Sequence, residues 1–241
     1  MIQPNLPLRS EVTTNRFAYY TAILTTMVAI VTFAIAIFTP PLSGPLCAEG
    51  CLEYPFTDIS SRFPRDYFWM YPAIVLMVLY VILMVCIHQQ TAEENKLFSQ
   101  LGLSFSLLSA VVLLIDYFVQ VAVIQPSLVN NETEGIALVT QYNSHGIFIA
   151  LEELGYLLMS FSFFCVVPVF SRTSQPGRSL RWVFITGFLL TLASFIIISL
   201  VYGIHREYLF EIVIITIDYI ILIVGGILLS KIFKREIPAF R

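Results

Sequence analysis

Two acids, Glu152 and Glu153, stand side by side inside an apolar stretch, GIFIALEELGYLLMSFSFFCVVPVF, residues 146–170. Such a stretch can span a bilayer, for which about 20 mostly apolar residues suffice. A charge at membrane depth costs roughly 2.5–3.5 kcal/mol on insertion scales, and the residues that carry one face a bundle interior or a watery cavity. Two other apolar runs also hold polar groups: Asp116 with Gln120 one turn on, and Glu211 with Asp218. No lysine or arginine lies within any of these runs. Acids so placed have three chemistries open to them. They can be held neutral, they can share protons as a coupled set, or they can hold a cation, from a metal ion to a substrate amine. Tyr117, Tyr156, Tyr219 and Gln120 are at hand to donate hydrogen bonds. His145, at the head of the Glu152 stretch, reads either as an interfacial histidine or as a proton shuttle at the mouth of a polar cavity.

Other chemistries lack their signatures. There is no Walker A Gly-Lys-Ser, no HExxH and no GxSxG. The three histidines, His88, His145 and His205, lie at span ends. A histidine-rich zinc hydrolase is therefore a poor fit, and neither a metal centre nor a cofactor is expected. A net charge of −3 gives no basis for nucleic-acid binding.

The elements that must position these acids are membrane helices. Only 12% of the 241 residues are charged and 58% are hydrophobic, against about 25% charged in soluble domains. The mean hydropathy is +0.84. Apolar runs predict six spans at residues 17–39, 68–88, 101–124, 146–170, 182–203 and 208–230. The expected fold is thus an all-α polytopic bundle of six transmembrane helices in one domain, with the lipid bilayer as its first partner. The first run is too long for the 7–15-residue core of a signal peptide.

At 100° per residue, the fourth span has two faces. Glu152, Gly155, Tyr156, Met159, Ser160 and Ser162 share one arc, with Glu153 at its edge, and leucines and phenylalanines fill the other. The third span lines up Ser106, Ser109, Asp116 and Gln120. The sixth spaces Glu211, Asp218 and Gly225 by heptads, and Gly225-Gly226 would admit a close neighbour. The fifth carries Gly187, Thr191 and Ser194 on a packing stripe. The second, apolar apart from tyrosine and methionine, is expected to face lipid. A rise of about 1.5 Å per residue puts Glu211 roughly 4 Å from the outer end of its span, Gln120 roughly 6 Å, Glu152 roughly 9 Å, Asp116 roughly 12 Å and Asp218 roughly 15 Å. This reads as a vestibule open outward and closed inward.

All of the 13 Lys and Arg except Arg62, Arg65 and Arg206 fall on one side of the spans, including Arg9 and Arg241 near the termini. The positive-inside rule then places both termini in the cytoplasm. The first outer loop opens with Pro40, Pro41 and Pro45, which end the helix, and contains Cys47 and Cys51. A small-loop disulfide is the favoured reading there, with free thiols or a weak metal pair as alternatives. Tyr67, Phe68, Trp69 and Tyr71 read as an interfacial aromatic belt. In the second outer loop Asn131-Glu132-Thr133 fits a glycosylation sequon, Ile136–Thr140 is apolar enough to fold back against the membrane, and Asn143 or Ser144 is expected to cap span four. VVLLIDYFVQV (111–121) echoes VIITIDYIILI (213–223), as an inverted repeat of two three-span halves would.

IDYFVQVAVIQPSL (115–128) and HGIFIALEELGYLLMSF (145–161) resemble segments of a family of prokaryotic six-span integral membrane proteins, along spans two to six. The family has no assigned function. The resemblance implies six spans in a prokaryotic cell membrane and carries no activity, cofactor or site residue.

Three functions fit the acids. The first is binding or transport of a cation or a proton-coupled solute, with Asp116, Glu152 and Asp218 at the centre, Glu153, Gln120 and Glu211 around them or at the mouth, and Tyr156 and His145 assisting. The second is an intramembrane acid/base enzyme acting on a lipid or isoprenoid, which requires an apolar slot open to the bilayer beside Glu152. The third is structural: protonated carboxyls as helix glue, each contact worth about 0.6 kcal/mol.

Overall fold

The computed structural model describes residues 9–39 and 41–237, with side chains from Val12 onward. Pro40, Arg241 and the Arg9 side chain lie outside the described residues. Six helices are long and apolar enough to cross a membrane: α1 (Arg9–Ile37), α2 (Met70–Gln89), α3 (Lys96–Val119), α4 (Ile147–Cys165), α5 (Gln175–Tyr202) and α6 (Tyr208–Arg235). Each falls on one expected span, and no strand occurs among the described residues.

Helix ends follow local chemistry. Pro176 sits in the first turn of α5, where its missing N–H would have had no partner. Gly203, at φ +56°, breaks α5 from α6. The third span does not stop at Val119. It runs through a π-helical stretch, Gln120–Ile124, into a last turn at Gln125–Val129. Pro126 offers no N–H to the carbonyl four residues back, and a wider turn before it accommodates the break.

The helices close into a ring. The most extensive contacts join α3 to α4 and α1 to α6, and α4 also packs on α5 and α6. Asn15 Nδ2 donates to the Glu236 carbonyl at 3.1 Å, so the first turns of α1 and the end of α6 meet at one end of the bundle, the terminus end. Segments 38–69, 130–146 and 203–207 lie at the other, the loop end. Small residues hold the terminus-end half together, as membrane helix pairs require. A Cβ on Gly226 would collide with Thr26 Oγ1 of α1 and stand 3.2 Å from the Ala22 carbonyl. Ser162 Oγ donates to the Gly102 carbonyl at 2.7 Å, and Ser109 Oγ to that of Gly155 at 2.7 Å, joining α3 to α4.

Several expectations change here. Helix α2 does not face lipid along its length. Ala73, Met77, Tyr80 and Met84 form a buried stripe at helical spacing, which uniform hydropathy conceals. The most exposed span is α5. Neither Asn143 nor Ser144 caps α4, whose N-cap is Gly146 with no side-chain bond. Asn143 instead donates to the Ala137 carbonyl at 2.7 Å and accepts from the His145 amide at 3.0 Å. The aromatic belt splits: Phe68 and Tyr71 point outward, Tyr67 is fully buried, and Trp69 turns inward. The Cys47–Cys51 disulfide forms, and Ile136–Val139 makes a short helix with Ile136 buried.

Candidate functional site

Helical phase brings Glu152 and Tyr156 of α4, Tyr117 and Asp116 of α3, and Glu211 and Tyr219 of α6 into the loop-end half of the core, all buried. Tyr117 donates its hydroxyl to Glu152 Oε1 at 2.9 Å. Its one proton is thereby engaged, so the Tyr156 hydroxyl, 2.8 Å away, is the donor to Tyr117. Glu152 and Glu211 lie within hydrogen-bonding reach of each other. A carboxylate is an acceptor only, so a bond between two carboxyls requires that one carry a proton. Glu211 Oε2 has no hydrogen-bond partner among the described residues, and the Tyr219 hydroxyl lies within reach of that of Tyr156.

Glu152, Glu211, Tyr156 and Tyr219 form the floor of a cavity of about 420 Å³ between α1, α4 and α6. Its walls are mainly apolar: Phe33, Trp69, Phe148 and Ile215 among them. Toward the loop end it is roofed by Leu42, Tyr142 and Tyr208. The buried Ser43 hydroxyl donates to the Tyr142 carbonyl and lies 2.6 Å from the Tyr208 hydroxyl. The Tyr208 hydroxyl in turn donates to the Gln141 carbonyl at 3.3 Å. Tyr142 is anchored from the other side by its own hydroxyl, which donates to Asp66 Oδ2 at 3.2 Å. Burial, then Tyr67 and Asp66, push the Tyr142 phenol well up from its ordinary range, so it remains a neutral donor. The lateral rim differs. Ile37 of α1 is 62% exposed and Ile212 of α6 is 39% exposed. Both line the cavity and belong to helices long and apolar enough to cross a membrane. The cavity is thus covered toward the loop end by bonded loop residues and rimmed laterally by Ile37 and Ile212. The roof is built by loop hydrogen bonds that helical periodicity does not reveal.

The other expected site residues lie elsewhere. Glu153 turns away from the cavity and pairs with Arg206, whose guanidinium also lies over Phe195 at 5.4 Å and Phe210 at 5.8 Å. The acid layer is therefore not without a base, because the short turn before α6 folds Arg206 back onto it. Gln120 has both ends engaged by the second loop: Nε2 donates to the Val139 carbonyl at 2.6 Å, and Oε1 accepts from the Gln141 amide at 3.0 Å. It is a clamp for the roof and donates to no acid. His145 stands on the loop-end surface with Nε2 3.8 Å from Glu207 and its side chain 61% exposed, so it does not open into the cavity. Asp116 lies behind Glu152, close enough to feel its charge, with Oδ2 unpartnered. Asp218 belongs to a separate knot. Ser160 Oγ donates to its Oδ1 at 2.9 Å and is 3.1 Å from Thr191 Oγ1, tying α4, α5 and α6 together. Sequence reasoning missed Trp69 and Tyr208 as parts of the site, and Arg206 as the partner of Glu153. Trp69 was concealed by its place in an aromatic run that serves equally well as an interfacial anchor.

Among the described residues no group of three or more His, Cys, Asp or Glu could hold a metal ion. Compared with known protein families, with curated proteins and with solved structures, the chain gives no match.

Proposed function

We propose that this protein takes an amphiphile from the bilayer through the mouth between α1 and α6 and holds its polar head on the Glu152–Glu211 pair. One observation carries the reading. Two neighbouring carboxyls line a cavity that loop hydrogen bonds roof and that exposed isoleucines of two long apolar helices rim. A hard metal ion would want about six or more oxygen ligands, whereas this site offers two carboxyls among aromatic walls. That favours a molecule with an apolar body. In this reading the loop end faces away from the cytoplasm, as the Lys and Arg distribution implies.

A second reading, acid/base catalysis on a lipid or isoprenoid, has an observation of its own. Tyr117 fixes Glu152, while Glu211 keeps an unpartnered oxygen. A pair with one proton supplies an acid and a base side by side. Turnover of a bound lipid, followed by mass spectrometry, would separate catalysis from binding.

The access route is testable through Trp69, which lines the cavity. The chain has two tryptophans, so Trp182→Phe leaves Trp69 as sole reporter. In nanodiscs of chain-brominated lipid we expect strong quenching of Trp69, and little quenching by aqueous iodide. Strong iodide quenching without bromine quenching would show a water-side opening and overturn the reading.

A further inference from the structure

Resting on that reading, we infer that the head recognised in the cavity is a cationic amine, so the ligand is a single-chain or compact amphiphilic ammonium compound. The argument starts from charge. A hydrogen bond between Glu152 and Glu211 takes one proton, and a pair holding only that proton carries one negative charge. Among the described residues no Lys, Arg or His lines the cavity, and Arg206 pairs with Glu153 and stacks on Phe195 and Phe210. The pair's charge is thus not balanced by the protein.

Two further observations point to a ligand. Glu211 is only 9% exposed, yet its Oε2 has no hydrogen-bond partner among the described residues, and the residue lines the cavity. A buried polar atom left unmatched is costly unless a partner arrives. A protonated primary amine offers three N–H donors, and Glu211 Oε2 can accept one. The second observation is the aromatic surround. Trp69, Phe148, Tyr156 and Tyr219 converge on the same space, and aromatic faces attract a cation where water is excluded. An alcohol would satisfy the hydrogen bonds but would neither balance the charge nor use the ring faces.

Protons and ammonium then compete for the pair. A second proton would neutralise it and remove its claim on a cation. The titratable groups facing the pair are Asp116 and Tyr117 from α3, Glu153 (held by Arg206) and Tyr156 from α4, and Tyr208 and Tyr219 from α6. Amine affinity should fall with acidification by up to tenfold per pH unit once the second proton binds. A free amine, with an ordinary pKa near 10.4, stays charged throughout this range.

The experiment titrates dodecylamine, dodecyltrimethylammonium and dodecanol into the Trp182→Phe protein in nanodiscs of neutral lipid, reading Trp69 fluorescence between pH 5 and 8. We expect both cations to bind at least tenfold more tightly than dodecanol at pH 8, dodecylamine the more tightly of the two because it alone has N–H donors, and both to lose that advantage toward pH 5. Glu211→Gln and, independently, Glu152→Gln should abolish both the preference and its pH dependence. Dodecanol binding as tightly as the cations, with no pH dependence, would overturn the amine assignment. If brominated lipid chains still quench Trp69 in that case, the access reading stands. Failure of all three probes together with failure of bromine quenching would remove that reading as well.

Discussion

Helices α1 and α6 run side by side along the bundle, but the two halves of their interface are built for different purposes. In the terminus-end half α1 presents Ala18, Ala22, Thr26 and Ala29, all buried, and Gly226 lets the backbones approach until no Cβ would fit. In the loop-end half α1 presents Phe33, Ala36 and Ile37, and α6 presents Glu211, Ile212, Ile215 and Tyr219. The space between them is the cavity. Lipid tails are as apolar as leucine, so helices in a membrane associate through close packing and polar contacts. Where the packing is tight the pair is a fastening. Where it is loose and lined by polar groups, the pair is a site. The acids differ as well. Glu153 is tied by Arg206 and Asp66 by Arg65 and Tyr142, whereas Glu211 beside the cavity keeps an oxygen without a hydrogen-bond partner among the described residues, as do Asp116 and Asp218 deeper in the core.

The largest effect should come from untying an acid that is held. Arg206→Ala would strand the buried Glu153 carboxyl. Breaking a fully buried pair from one side costs about 3–5 kcal/mol. The Arg206 side chain is 32% exposed, so solvent screening lowers the expectation to about 2 kcal/mol. Adding Glu153→Gln should recover most of the loss, because no charge is then stranded. Chemical denaturation in mixed micelles would measure both. Equal losses in the single and double variants would mean that Arg206 acts through its contact with Phe195 and Phe210.

The fastening half should answer to volume. Gly226→Val places a branched side chain against Thr26 and the Ala22 carbonyl, and overpacking of this kind costs about 1–3 kcal/mol. Ala36→Val, ten residues further along the same α1 face, adds its methyl groups to an open cavity and should leave stability within about 0.5 kcal/mol. If the two substitutions cost the same, the halves do not differ as described.

How far this division could be read from the sequence depends on which interactions were local. Helical phase in α3, α4 and α6 identified the inward faces, because burial of a polar arc repeats every three to four residues. Glycine spacing marked the close approach at Gly225-Gly226. What escaped was set by contacts distant in sequence. Helical phase puts Glu152 in the polar arc and Glu153 at its edge, but the partner of Glu153 is set by the fold of residues 203–207, which carries Arg206 back to α4. The roof likewise depends on Ser43 meeting Tyr142 and Tyr208, 99 and 165 residues away. The echo between residues 111–121 and 213–223 does place Asp116 and Asp218 alike in the core. Their partners differ, however: Asp116 backs the cavity pair and Asp218 joins the Ser160–Thr191 knot.

The smallest effect should have the opposite sign from the others. Glu211 lies beside Glu152 and has an oxygen without a hydrogen-bond partner among the described residues, an arrangement suited to a ligand and unfavourable without one. In Glu211→Gln the new amide can donate to Glu152 as its own N–H donor, so the contact no longer depends on a borrowed proton. Without ligand the variant should therefore be as stable as the wild type or more stable by about 0.5–1 kcal/mol. Its melting temperature should also vary less between pH 5 and 8. Glu153→Gln on the neighbouring residue gives up a charged bond to Arg206 and should lose stability instead. Thermal unfolding of the two variants in one detergent measures the contrast directly. A loss at Glu211→Gln as large as that at Glu153→Gln would show that the cavity pair is a fastening too, and that the division between the halves of the bundle does not extend to its acids.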